Sequence, residues 1–320
     1  MKELAKRANV SVSTVSKAFS GAEDIGADTR ELIFKIAKEA GCYGKFYKGK
    51  YDKKVIAIIC PELISSYYNA FAEALRARIE ASGNIVVVAA DMFSVKRQSE
   101  LIEYFASYIN VDGIIVMGLK ADIKSGFDVP IVSMLSSGDH YNVDSVNHDS
   151  KISVTSAISF LYEKGHRNIA FFSEALTKSK AERFMEKSTL FKLENYSVFE
   201  TEKRFEDAGK ECVKKMMESG KEFTAVICAY DNIAFGAMRA FKKLGIRIPD
   251  DISVMGIDNI SQSEFSETSL TTVGVSADEV AAVTWELLQK KLSNPYFKSK
   301  QKITINSAIV ERESVKNINH

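Results

Sequence analysis

The sequence predicts a small all-α N-terminal segment followed by doubly wound parallel α/β sheets. Three observations carry that prediction. Residues 4–21 read as two short amphipathic helices broken at Asn9-Val10-Ser11. From Val55 onward, short apolar runs alternate with amphipathic helical stretches, the pattern of parallel sheets covered by helices. And 320 residues exceed what one hydrophobic core usually holds, so two or three domains are expected.

In the first helix Leu4, Ala5 and Ala8 share a face. In the second, Val15, Ala18 and Phe19 turn inward, while Val12, Ser13 and Lys17 turn outward. A helix, a tight turn and a helix with a small, hydroxylated, basic outer face make the plan of a helix-turn-helix. The second helix of that motif enters the DNA major groove. A third helix is expected from about Asp28 to Glu39, with Leu32, Ile33, Ile36, Ala37 and Ala40 as its inward stripe and Gly41 as its stop. Residues 1–54 hold twelve Lys/Arg against seven Asp/Glu, a net +5, and the remainder 31 against 35, a net −4. A basic head on a mildly acidic body suits a head that alone meets a polyanion.

Residues 42–54 contain two glycines and five lysines (Lys45, Lys48, Lys50, Lys53, Lys54) and read as a flexible basic tether. Lys45, Lys48 and Lys50 are candidate phosphate contacts, and Phe46 or Tyr47 a candidate minor-groove wedge. Beyond it, strands are expected at Val55–Cys60, Ile85–Ala89, Gly113–Met117, Pro130–Met134, Asn168–Phe172, Ala225–Cys228 and Ser253–Gly256. Helices are expected at Ala70–Ser82, Gln98–Tyr108, Ile152–Lys164, Phe205–Ser219 and Ile233–Leu244.

Several function classes are disfavoured. No Gly-x-Gly-x-x-Gly or Gly-Lys-Ser/Thr loop follows a strand, against a nucleotide site. No Gly-x-Ser-x-Gly, His-Glu-x-x-His or paired-ligand spacing asks for catalysis, a metal or another cofactor. The apolar runs are too short to span a bilayer, and no basic-then-apolar leader opens the chain. Cys42, Cys60, Cys212 and Cys228 are scattered, as reduced cytoplasmic thiols would be.

Ser11-Val12-Ser13-Thr14-Val15-Ser16-Lys17 resembles the recognition stretch of the lactose-repressor (LacI/GalR) family of bacterial transcription factors. Further resemblances follow in the family's order: Val111-Asp112-Gly113-Ile114-Ile115, then Gly165-His166-Arg167-Asn168-Ile169-Ala170. After them come Ile246–Val254 with Gly256-Ile257-Asp258-Asn259, Leu270–Val273 and Val310–Ser314. Two departures stand out. Met1 falls inside the first helix, where relatives carry a preceding Ser or Thr cap, and the tether lacks the family's Pro-Asn pair and leucine-bearing hinge helix.

The resemblance implies a headpiece at 1–41, a basic linker at 42–54 and an effector module of two lobes like a periplasmic binding protein. The first lobe would hold 55–147 and 275–305, the second 148–274 and 306–314, with 315–320 a tail. It implies base contacts from Val12, Ser13 and Lys17 and phosphate contacts from Ser11, Thr14, Ser16 and Ser20. A small effector, a sugar or sugar derivative, would lie between the lobes against Tyr67, Tyr68, Asp149, Tyr230, Asp231 and Asp258, with Arg183 or Lys180 as its clamp. The implied protein is a cytoplasmic homodimeric repressor of a double-stranded operator. The alternative is a solute-binding module with a weakened headpiece. A tether richer in lysine than in hinge structure would make DNA binding steeply salt-dependent.

Overall fold

The computed structural model describes residues 1–46, 53–109, 111–123, 127–136, 142–148, 150–294 and 296–319. The chain separates into a unit of Met1–Lys54 and a unit of Val55–His320.

The first unit is helical: α1 (Lys2–Arg7), α2 (Val12–Ser20), α3 (Ala27–Glu39) and a single turn α4 (Tyr43–Phe46). Its core is Leu4, Ala5, Ala8, Val15, Ala18, Phe19, Ile33, Ile36 and Ala37. The inward stripe of α3 differs from expectation, because Leu32 and Ala40 are exposed and Phe34 is half-buried instead. An aromatic cluster explains the shift: the Phe19 ring lies 5.1 Å from Phe34, 5.9 Å from Tyr43 and 5.7 Å from Phe46. The tether therefore begins as structure, with Tyr43 and Phe46 packed on the headpiece core. Phe46 is half-buried against that core, so its ring is engaged in the headpiece and is not a free wedge. Tyr47, Lys48 and Lys50 lie outside the described residues, and of Lys45 only the backbone is described.

The second unit holds two six-stranded sheets. Lobe 1 opens with β1 (Val55–Cys60), α5 (Ser66–Ala81), β2 (Ile85–Ala90), α6 (Val95–Glu103), β3 (Gly113–Met117), β4 (Ile131–Met134) and β5 (Asp144–Asn147). A π-helical turn, Tyr104–Ile109, follows α6. Lobe 2 holds α7 (Ser150–Glu163), β6 (Asn168–Glu174), α8 (Lys178–Leu190), β7 (Asn195–Thr201), α9 (Phe205–Glu218), β8 (Ala225–Cys228) and α10 (Asp231–Lys243). It continues through β9 (Ser253–Ile257), α11 (Gln262–Phe265) and β10 (Thr271–Gly274). The chain then returns to pack α12 (Ala277–Ser293) on α5. It adds β11 (Lys302–Thr304) to the first sheet and β12 (Ala308–Val310) to the second.

The strand orders are β2-β1-β3-β4-β5-β11 and β7-β6-β8-β9-β10-β12. All pairs are parallel except β10 with β12. The central strands are buried apolar runs such as Ile56–Cys60 and Ile114–Met117, fully covered on both faces, whereas β2, at the sheet edge, leaves Val87 and Val88 exposed. Residues 315–319 are not a loose tail. Ile318 N–H donates to Lys164 O at 2.8 Å and Lys316 N–H to Ser253 Oγ at 3.0 Å, both within lobe 2.

One packing detail positions the site. An added Cβ on Gly209 would lie 2.0 Å from Ile233 O, and one on Gly236 2.0 Å from Glu206 O. Helices α9 and α10 thus touch backbone to backbone, and at their starts the Phe205 N–H donates to Tyr230 Oη at 3.0 Å. A side chain at either glycine would push the helices apart.

Candidate functional site

The headpiece offers one candidate surface. Ser11 caps α2, its Oγ accepting the Thr14 N–H at 3.0 Å, a bond worth about 1 kcal/mol to a helix. Gly21, at φ 78°, ends the helix in the left-handed conformation. With Val15, Ala18 and Phe19 buried, the open face carries Val12, Ser13, Ser16, Lys17 and Ser20. Val12 is 43% exposed, an apolar group that the fold itself leaves in water. Lys17 pairs with Asp24, and Ser20 Oγ donates to Lys17 O at 3.1 Å. Ser11 and Thr14 have their hydroxyls 2.8 Å apart and serve the cap.

The second candidate is the cleft of the Val55–His320 unit. In parallel α/β sheets, ligands sit beyond the carboxyl ends of the strands, where the strand order reverses. Both sheets obey that rule and contribute to one cavity of about 290 Å³. Lobe 1 supplies Pro61 and Glu62 after β1, Asp91 and Phe93 after β2, Gly118 after β3, Leu135 and Ser136 after β4 and His148 after β5. Tyr67 and Tyr68, from the first turn of α5, stand 5.2 Å apart as ring centroids and edge on. Lobe 2 supplies Glu174 at the end of β6, Lys180 from α8, Arg204 and Phe205 after β7, Tyr230 after β8 and Asp258 after β9.

Four of these residues have positive φ without being glycine: Phe93 (60°), Leu135 (55°), Phe205 (55°) and Asp258 (114°). Each such conformation costs about 1–3 kcal/mol and tends to mark a functional wall.

Two ion pairs dominate the cavity. Arg204, from lobe 2, donates from Nη1 and Nη2 to the two oxygens of Glu62, from lobe 1, at 2.9 and 3.0 Å. This two-pronged bond crosses the cleft, as does Gln262 Nε2 to Ser66 Oγ at 3.2 Å. The hydrogen bonds and charge of Glu62, helped by the charge of Glu174, hold the Arg204 guanidinium above its usual range against the opposing cost of its partial burial. Within lobe 2, Lys180 Nζ lies 3.6 Å from Asp258 Oδ1 and donates to Ala229 O at 2.7 Å. Burial pushes Asp258 up to about 6 against the pull of that lysine.

Asp231 sits behind the wall. Its carboxylate accepts Thr272 Oγ1 at 2.6 Å, Ser263 Oγ at 2.7 Å and Ile260 N–H at 3.0 Å. Burial, then the charge of Asp258, pushes it up to about 7. In lobe 1 the counterpart anchor is Asp91, which accepts Gln98 Nε2 at 2.6 Å and Phe93 N–H at 2.8 Å. Gln98 Oε1 in turn takes the Lys120 and Ala121 N–H groups at 2.8 and 3.0 Å. These bonds fix the loops that carry the lining side chains.

The structure brings Tyr67, Tyr68, Tyr230 and Asp258 together in the cleft. Two expected ligand residues are corrected. Asp231 is 1% exposed, absent from the lining and engaged in three internal bonds, so it positions the wall. Arg183 pairs with Glu186 at 2.9 Å and does not line the cavity, whereas Lys180, one turn earlier, does. Asp149 lies outside the described residues. Glu62, Phe93, Glu174 and Arg204 were not anticipated, because their partners come from distant parts of the chain. Among the described residues, no group of three or more His, Cys, Asp or Glu is placed to hold a metal ion. No helix among them is long and apolar enough to cross a membrane.

Comparison with known proteins converges on one group. Residues 1–43 match the model described as bacterial regulatory proteins, lacI family, and residues 158–315 match the periplasmic binding protein-like domain. The chain is 25% identical to the HTH-type transcriptional repressor PurR of Salmonella newport (strain SL254), over 98% of this chain and 96% of that one. The fold is similar to that of the lac repressor dimer bound to operator and the anti-inducer ONPF, with 20% identity, TM-score 0.72 and 98% of each chain covered. It is also similar to a LacI family transcriptional regulator from Enterococcus faecium with bound ribose, at 19% identity and TM-score 0.69. That match covers 83% of this chain and 100% of the other.

Proposed function

Because the chain belongs to the lacI family of bacterial regulatory proteins, we propose that it is a transcriptional repressor whose grip on its operator is set by a small ligand. We take the ligand to be a sugar or sugar derivative bound between the lobes of the Val55–His320 unit. One observation carries this reading. A single chain holds both a capped recognition helix with an open hydroxylated, basic face and a cleft walled by aromatic rings and carboxylates. A solute-binding module would have no use for the first, and a constitutive DNA binder none for the second.

Val12, Ser13 and Lys17 are the base-reading residues in this account. The Val12 methyls suit a thymine methyl, and the lysine suits guanine O6 and N7. Ser11, Thr14, Ser16 and Ser20, with Lys45, Lys48 and Lys50, suit phosphate oxygens. In the cleft, Tyr67 and Tyr68 offer ring faces to the apolar side of a sugar. Tyr230 and Asp258 offer hydrogen bonds to its hydroxyls, and Asp149, outside the described residues, is kept as a further candidate on the family resemblance alone. Lys180 replaces Arg183 as the clamp. The bound ribose of the Enterococcus faecium regulator supports a sugar as the ligand class.

Cleft closure is the allosteric coordinate. A ligand that bonds to both walls favours the closed arrangement already bridged by Glu62–Arg204 and Ser66–Gln262. We infer a cytoplasmic homodimer that presents two headpieces to a pseudo-palindromic operator; the lac repressor dimer on its operator supports that arrangement. The headpiece, linker and two-lobe division set out above serves as the domain plan.

A mobility-shift assay with DNA flanking the chain's own coding region, at a stated salt concentration, tests the proposal. A specific complex whose abundance changes when ribose or a related sugar is added is the expected result. Folded protein that gives no specific complex, with or without sugars, would overturn it.

A further inference from the structure

Resting on the reading of the cleft as a sugar site, we propose that the effector carries a positively charged group, as an amino sugar does, and that Glu174 receives it. Two buried glutamates face the same part of the cavity from opposite lobes: Glu62, 4% exposed, and Glu174, 2% exposed. One guanidinium serves both, and unequally. Arg204 gives its two terminal nitrogens to Glu62 and approaches Glu174 Oε1 only through Nε at 3.6 Å. The Glu174 side chain also accepts the Thr177 N–H of its capping box and has the Tyr230 hydroxyl beside it, yet Oε2 is buried with no hydrogen-bond partner. Two carboxylates around one guanidinium leave one negative charge over, and the geometry leaves it on Glu174.

The other cations of the cleft are engaged elsewhere. Lys180 serves Asp258 and Ala229 O, and the charge of Lys120 acts on Asp91. Arg183 serves Glu186 outside the cavity. Aromatic rings stand beside Arg204, the guanidinium that Glu174 shares with Glu62. The Phe205 centroid lies 4.4 Å from Arg204 Cζ and 6.1 Å from the Tyr230 ring. An acidic notch beside ring faces is an environment that favours cations. A neutral sugar hydroxyl would give Oε2 a hydrogen bond and leave the charge. An ammonium gives a charge-assisted bond and neutralises it, and in a buried site the second is the stronger contact. The remaining lining, Tyr67, Tyr68 and Ser136, suits the polyol part of the same molecule.

Calorimetric titration of the full chain tests this with D-glucosamine, D-galactosamine and D-mannosamine against their parent hexoses, their N-acetyl forms and ribose. At least one amine should bind about tenfold or more tightly than its parent and N-acetyl counterparts. The preference should vanish as pH is raised past the amine's own pKa, and Glu174→Gln, which keeps an acceptor for Thr177, should bring the ratio to about one. The pH titration uses wild-type protein, so the test stands even if the variant misfolds. Neutral sugars that bind in the cleft as tightly as, or more tightly than, every amine would overturn this inference and leave the sugar reading standing. A chain that binds neither amines nor neutral sugars would overturn both.

Discussion

Lobe 1 and lobe 2 are built on sheets of the same order, five parallel strands plus one strand from the end of the chain, but their cleft walls differ in chemistry. Lobe 1 contributes aromatic rings, Tyr67, Tyr68 and Phe93, with an acidic group locked to Gln98 and a glutamate that reaches across. Lobe 2 contributes Phe205 and Tyr230 too, but its wall is dominated by the charges of Glu174, Lys180, Arg204 and Asp258, backed by the buried Asp231. Their packing differs too. Lobe 2 rests on the backbone contact of α9 with α10 through Gly209 and Gly236. In lobe 1, Gly113 faces the methyls of Leu288 and Ile56. The contrast teaches that a strand order fixes where a site lies, and that the residues at the strand ends decide what it binds.

The sharpest way to break this comparison is to add one carbon to each lobe. Gly236→Ala would place a Cβ 2.0 Å from a backbone oxygen that cannot move alone. It should destabilise the Val55–His320 unit by about 3 kcal/mol or more. Gly113→Ala meets Leu288 Cδ2 at 3.1 Å, a side-chain tip that can turn away, and should cost less. Thermal melts of both variants decide; equal losses would contradict the packing contrast.

Next comes ligand affinity. Asp258→Asn removes an ionic acceptor from lobe 2 and should weaken sugar binding about ten- to a hundredfold. Tyr68→Phe removes only a hydroxyl from lobe 1 and should cost about tenfold at most. Titration of both with the same sugar would refute the ionic-against-aromatic division if the order were reversed.

A smaller effect should appear with pH. Asp231 and Asp258 are raised, to about 7 and about 6, above the ordinary value of 3.8. A raised carboxyl favours the folded state while protonated, so this stability is full below about pH 4 and is lost as pH rises through about 7. The slope should be about 1 kcal/mol per pH unit where one extra proton is held. Burial raises Asp91 of lobe 1 as well, in the same direction. Denaturation curves between those limits should flatten more in Asp258→Asn than in Asp91→Asn; stability rising with pH across this range would contradict the assignment.

Smallest is the bridge itself. Glu62→Gln keeps one bond to Arg204 but loses the charge, and should loosen closure by about 1 kcal/mol, since Arg204 is partly solvated. Small-angle scattering of the unliganded variant should give a larger radius of gyration than wild type; an unchanged radius would remove the bridge from the account.

The legible parts of the sequence were those whose signal is local. Ser11 and the Val15-Ala18-Phe19 face declare the recognition helix within nine residues, and seven strands stand out as apolar runs, most of them buried and β2 half-exposed at the sheet edge. β5, β10, β11 and β12 escaped because three or four residues show no period. The longer β7 escaped because Asn195, Ser197 and Glu200 break up its apolar residues and it is only half-buried, and α8 because charges crowd its sequence. The site was read by halves. Tyr67, Tyr68 and Asp258 follow strands or open a helix, and the family resemblance at those positions points to them. The Glu62–Arg204 bridge joins residues 142 apart, and only the meeting of two lobes makes it. Asp231 misled because a carboxylate at a helix start after a strand reads as a ligand group. Its three internal donors come from α11, β10 and the loop before α11.

The central claim is that the cleft and the headpiece bias one equilibrium, and fluorescence anisotropy tests it directly. The full chain is titrated onto labelled DNA from beside its own coding region, at fixed salt, with and without a sugar shown by calorimetry to bind. Linkage predicts at least an approximately fivefold change in operator Kd, matched by an equal change in sugar Kd when operator is present. An operator Kd that stays the same while the sugar demonstrably fills the cleft would contradict it.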